Sequence, residues 1–100
     1  MQSWICTAIG TIRVVSFSYE SMWYVVEPFV YGTREDDVDV MVAYVLKSSG
    51  HAPIDHEWKI FETGKIGARA INYDPIKRDR EGQPEVSFKS TYCQIKQKTH

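Results

Sequence analysis

Alternation of apolar and polar side chains runs from Thr11 to Leu46 and confines this chain to a β-rich fold. In residues 12–20, Val15, Phe17 and Tyr19 fall on one face and Val14, Ser16 and Ser18 on the other. That is the period of a half-buried strand. Glu20-Ser21 reads as a tight turn into a second strand, residues 22–26, rich in aromatic and β-branched side chains. Pro28 lacks an amide donor and is expected to mark a strand end or a sheet edge. Residues 32–37 form a polar hairpin loop. Residues 38–46 make the clearest strand. Val38, Val40, Val42, Tyr44 and Leu46 share one face and Met41, Ala43 and Val45 the other, so both faces look buried.

Near the N-terminus, Ser3 is placed to cap a short helix, with Trp4, Ile5, Ala8 and Ile9 as its apolar stripe and Gly10 as its stop. Residues 47–57 form a loop, 57–61 a short strand, and Thr63-Gly64 a turn. Residues 66–73 read as a strand or one helical turn. Residues 74–85 hold two prolines, a glycine and the run Lys77-Arg78-Asp79-Arg80-Glu81, and are expected to be an exposed loop. Alternation returns in residues 85–95 as a final strand, and residues 96–100 are expected to fray. Several short strands and one helix argue for a small barrel or sandwich. One hundred residues favour one domain. Within it, residues 1–74 form the body. Residues 75–100 form an extension that either pairs with the edge of the body or exchanges with a second copy. Val15, Phe17, Val40, Val42, Tyr44, Trp58 and Ile60 are the expected core.

Composition excludes some classes of function. A net charge of −1 lacks the basic excess of a dedicated duplex-DNA binder. No apolar run approaches the ~18 residues needed to span a bilayer. The first six residues lack the basic and apolar regions of a signal peptide. A cytoplasmic location and no membrane partner are the expectation. Cys6 and Cys93 stand alone at opposite ends, so free thiols are expected, with a bridge between the termini as the alternative. His51, His56 and His100 stand in no nucleophile-and-base motif, and no phosphate-binding loop is present. Asp36, Asp37 and Asp39 read as a solvated hairpin, and Asp55 with His51 and His56 as a solvated loop rather than metal ligands. No enzyme activity, cofactor or metal is expected.

Three short motifs recur in a telling order: Val26-Glu27-Pro28-Phe29-Val30-Tyr31-Gly32, then Ala43-Tyr44, then Trp58-Lys59-Ile60-Phe61. In this order they resemble the WYL domain family, in particular its short stand-alone members, over roughly residues 6–73. The resemblance implies a mainly β fold, a strongly bent small SH3-like (Sm-like) barrel with a short N-terminal helix. It also implies a non-enzymatic module that senses nucleic acid or nucleotide-like ligands, in bacterial or phage regulation or in defence. The chain departs from the family pattern at Asp39-Val40-Met41, where the naming tripeptide would stand. It also has Val42 and Phe29 where arginine and histidine are common.

A nucleotide or a short single strand requires stacking platforms beside cations. On that ground Arg13, Tyr31, Tyr44 and Lys59 are the expected ligand-binding patch. Tyr31, Tyr44 and Lys59 belong to the family motifs, and Arg13 opens the first strand. Lys59 should point away from Trp58 and Ile60. The alternative function is a protein–protein interaction or homo-oligomerisation module with no small ligand, its sheets extended between subunits.

Overall fold

The computed structural model describes residues 2–50 and 55–95. His51 and residues 96–100, named above, lie outside them. One helix, α1 (Ser3–Gly10), precedes β1 (Arg13–Tyr19), β2 (Met22–Arg34), β3 (Asp39–Ser48) and β4 (Glu57–Glu62). A single 3-10 turn, Thr63–Lys65, leads into β5 (Ile66–Pro75), and β6 (Phe88–Gln94) ends the described chain. All pairings are antiparallel in one sheet, ordered β4-β3-β2-β1-β5, with β6 also paired to β2. Among the described residues no pairing joins β4 to β5, so the sheet is not closed.

Local chemistry explains these elements. Glu20 and Ser21 both adopt positive φ, 49° and 65°, and join β1 to β2 with Tyr19 opposite Met22. That is the two-residue turn whose twist suits a hairpin. The helix ends at Gly10 as expected and differs from expectation at its start. Gln2, not Ser3, is the N-cap residue and makes no side-chain cap. Its amide instead donates to the Thr63 carbonyl (2.6 Å) and its carbonyl oxygen accepts from the Trp4 indole (2.8 Å). Gly10 is the last helical residue, and the left-handed turn that follows falls on Ile12 (φ 57°). A β-branched residue is strained there, and glycine is usual.

The strand expected to end near Pro28 instead runs on to Arg34. β2 exchanges neighbours along one edge. β1 covers Met22 to Val26, and β6 covers Val30 to Arg34. Pro28 lies in the gap between them, where a missing N–H removes no ladder bond on that edge. Register shifts flank it, between Val25 and Val26 and between Pro28 and Val30 in the pairing with β3. Among the described residues, β5 crosses position 74, and β6 pairs antiparallel with the second half of β2. Gly32 permits this approach, because a Cβ there would collide with the Ser90 carbonyl and lie 3.0 Å from Phe88 Cδ1.

Two layers of packing result. On the inner face, Phe61 meets Phe17, Tyr19 and Tyr24 edge-on with ring centroids 5.0–5.1 Å apart. Ile5, Ala8 and Ile9 of α1 close this core. Val15, Phe17, Val40 and Val42 are buried as expected. Tyr44, Trp58 and Ile60 are not part of that inner layer. They are half-buried on the opposite face, because Tyr44 pairs with Trp58 and Val42 with Ile60 while Met41 pairs with Phe61. β3 does bury both faces over Val40 to Ala43. The second cover is residues 76–87, which have no regular structure.

The cysteines correct an expectation. Cys6 and Cys93 form a disulfide, with Cα atoms 5.6 Å apart. The fold brings them together because α1 packs beside β6, which the distance between them in sequence concealed.

Candidate functional site

Glu27 lies within an otherwise apolar run, Val25-Val26-Glu27-Pro28-Phe29-Val30. Strand register places it opposite Tyr44, and Tyr44 opposite Trp58, so the three side chains form a row across β2, β3 and β4. Phe29 stands against Trp58 with centroids 4.8 Å apart, and Trp58 against Tyr44 at 5.4 Å. The Glu27 side chain is 2% exposed. A buried carboxylate is costly unless it is paired and hydrogen-bonded.

The pairing comes from the charged loop. Arg80 Nε donates to Glu27 Oε1 at 2.8 Å and Nη2 to Oε2 at 3.4 Å. The Lys77 amide donates to Oε2 at 3.0 Å. The Arg80 guanidinium carbon lies 4.3 Å from the centre of the Tyr44 ring. The hydrogen bond to Glu27 holds the Arg80 guanidinium above its ordinary pKa range, with the Coulombic pull of the same carboxylate adding to it and desolvation opposing it. The next residue is fixed as well, since the Trp58 indole N–H donates to the Glu81 carbonyl at 2.7 Å. Gly82 turns the chain with φ 82°, above the Trp58 ring. The buried Ile76 anchors the near end through its amide to the Ile12 carbonyl (3.1 Å). Val86 and Phe88 pack on the core at the far end. The loop expected to be exposed is thus a strap across the outer face, with Ile76 buried and Arg80 partly buried.

Both oxygens of Glu27 accept hydrogen bonds, and aromatic rings wall the space above it. This arrangement suits a planar, forked cation, which can pair bidentately with a carboxylate and lie against a ring.

The structure does not bring the four expected ligand residues together. Only Tyr44 stands in the row. Lys59 is opposite Ala43 on the other face of the sheet, pointing away from Trp58 and Ile60 as expected, with its Nζ 5.6 Å from the Phe61 ring centre. Tyr31 is fully buried, its hydroxyl accepting from the Gln2 amide (2.8 Å) and its ring beside Tyr92 (4.9 Å). Alternation along β2 could not show this, because the register shift after Pro28 and the arrival of β6 cover it. Arg13 belongs to the opposite edge. It donates to the Tyr73 carbonyl (2.9 Å) and lies 5.4 Å over that ring.

Several other cations pair with surface carboxylates. Arg34 binds Asp36, Lys65 approaches Glu20 and Glu62, and Lys89 binds Asp37. The Asp36 hydrogen bond raises the Arg34 pKa, and Glu62, then Glu20, raise that of Lys65. Arg69 lies 5.3 Å over Trp4. No metal-binding group of three or more His, Cys, Asp or Glu occurs among the described residues. No helix among them is long and apolar enough to cross a membrane.

Glu27 and Arg80 were not anticipated as partners. The available signal was Glu27 itself, a charge inside an apolar strand, which demands a cation from elsewhere in the chain. No protein-family model, curated protein or solved structure matches the chain.

Proposed function

We propose that this chain is a non-enzymatic binding module of WYL type, built on an SH3-like barrel, and that its partner is another protein. The observation that carries the reading is the row Glu27–Tyr44–Trp58. Its members come one each from the three motifs that resemble the WYL family, and they converge on one patch of the outer face. The barrel assignment is supported by the bent, neighbour-switching β2 and by the 3-10 turn that carries the chain from β4 to β5 on the far edge of β1. The setting the resemblance implies is regulation or defence.

The geometry favours a polypeptide over a nucleotide. The cation beside the row, Arg80, is already paired with the buried Glu27 carboxylate, and Arg13 and Lys59 stand elsewhere. The patch instead combines large aromatic rings with a buried charge, as interface anchors do. Exposed edges add backbone donors and acceptors. β5 is a ten-residue edge strand, and Tyr73 on it is 90% exposed. Edge strands accept added strands readily.

Selection of displayed random peptides on the immobilised protein tests this, run beside a panel of short single-stranded oligonucleotides and cyclic nucleotides at low salt. Enriched peptides whose binding is lost in Trp58→Ala and Tyr44→Ala support the reading. Oligonucleotide binding that falls steeply with salt, with no peptide enriched, would replace it with the anionic-ligand function.

A further inference from the structure

We propose that the Glu27 pocket is a guanidinium-binding site, occupied in cis by Arg80, and that the partner inserts an arginine side chain in its place. This rests on the protein-binding reading and specifies the group that is recognised.

Three observations support the exchange. First, the pocket belongs to the sheet, not to the strap. Glu27, Tyr44, Trp58 and Phe29 are placed by strand register and ring packing, and residues 76–87 deliver the cation and one backbone donor, the Lys77 amide. Second, its chemistry is specific. A carboxylate that accepts on both oxygens, beneath an aromatic face 4.3 Å from the cation, discriminates a forked planar guanidinium from an ammonium. Third, the occupant sits on a segment that no helix or strand ladder holds between its two ends. Residues 76–87 lack regular structure, and Arg80 is flanked by exposed Asp79 and Glu81 and the turn at Gly82. The bond from Trp58 to the Glu81 carbonyl is itself exposed. By contrast, the segment's two ends are fixed by Ile76 and by β6, so displacement of Arg80 leaves the sheet intact.

An internal occupant lowers the apparent affinity for an external one by the fraction of time the pocket is open. Removing Arg80 should therefore strengthen binding of an added arginine. The probes are N-acetyl-arginine amide, N-acetyl-lysine amide, N-acetyl-citrulline amide and free L-arginine. Each is titrated into the wild type, Arg80→Ala and Glu27→Gln/Arg80→Ala, with the Trp58 indole N–H resonance as the readout. Should Arg80→Ala not fold, Arg80→Lys, which keeps the charge and loses the fork, takes its place in the same comparison.

The expected result is that capped arginine shifts the Trp58 resonance in the Arg80 variant with at least ten-fold higher affinity than in the wild type. Capped lysine and citrulline should not, and the added Glu27→Gln should abolish the effect. Preference for capped over free arginine supports a polypeptide donor, and the reverse preference would overturn the claim that a partner protein supplies the guanidinium. Equal affinity in wild type and variant, no binding to a folded variant, or binding indifferent to Glu27→Gln would overturn the guanidinium assignment. If peptides are enriched on the wild type but the Arg80 variant ignores arginine, the module reading stands and this assignment alone fails.

Discussion

Cys6 in α1 and Cys93 in β6 are bonded across a separation of 87 residues, so one covalent link ties the first and last described elements together. A closed loop of this size restricts the unfolded chain strongly. Reduction should lower stability by about 2–4 kcal/mol, seen as an earlier urea midpoint with dithiothreitol than without. The same bond makes location testable. Disulfides persist in oxidising compartments and are uncommon in the cytosol. Protein unfolded without reductant should show no reactive thiol. Two thiols per chain in freshly isolated protein would mean that the link is absent in the compartment of origin.

The inner and outer layers should respond differently to truncation. Phe61 is fully buried among Phe17, Tyr19 and Tyr24. Phe61→Ala should cost about 3–5 kcal/mol in urea unfolding. Ile60 is only partly buried on the other face, and Ile60→Ala should cost about 1 kcal/mol. Similar losses at the two positions would contradict the division of β4 into a core face and a strap-covered face.

Much of the inner layer is legible in sequence, because period-two alternation is enforced residue by residue. Val15 and Phe17 fall on the buried face of β1, and the Glu20–Ser21 turn sits where the alternation breaks. β3 reads as buried on both sides, although the sequence does not say that the second cover is a strap. What escaped depends on contacts distant in sequence. The Arg80–Glu27 pair spans 53 residues, and local composition presents Arg80 as one member of a solvated charge run. The burial of Tyr31 depends on β6, which alternation along β2 does not show, and Pro28 marks a change of neighbours along β2, not its end. Lys59 and Tyr44 were grouped by motif, although their parity on paired strands already separated them.

Acid should loosen the turn between β2 and β3. Arg34 donates to both oxygens of Asp36, at 3.0 and 2.9 Å, and this holds the carboxyl below its ordinary value of 3.8. A depressed value means that the pair stabilises fully above 3.8 and that its contribution disappears as pH falls through the lower folded value. Amide exchange at Val38, whose N–H also approaches Asp36, should rise over that window in the wild type and show no such step in Asp36→Asn. Titration of Asp36 at or above 3.8 would show that the pair is not formed.

The strap holds Arg80 in the Glu27 pocket, and a double-mutant cycle measures that contact directly. Glu27→Gln, Arg80→Ala and the double variant are unfolded in urea beside the wild type, with the disulfide intact. A buried, bidentate pair predicts a coupling free energy of about 2 kcal/mol or more, with Arg80→Ala alone costing more than the same change made in Glu27→Gln. A coupling below about 0.5 kcal/mol, the level of independent sites, would mean that Arg80 does not occupy the pocket in solution and would contradict the account.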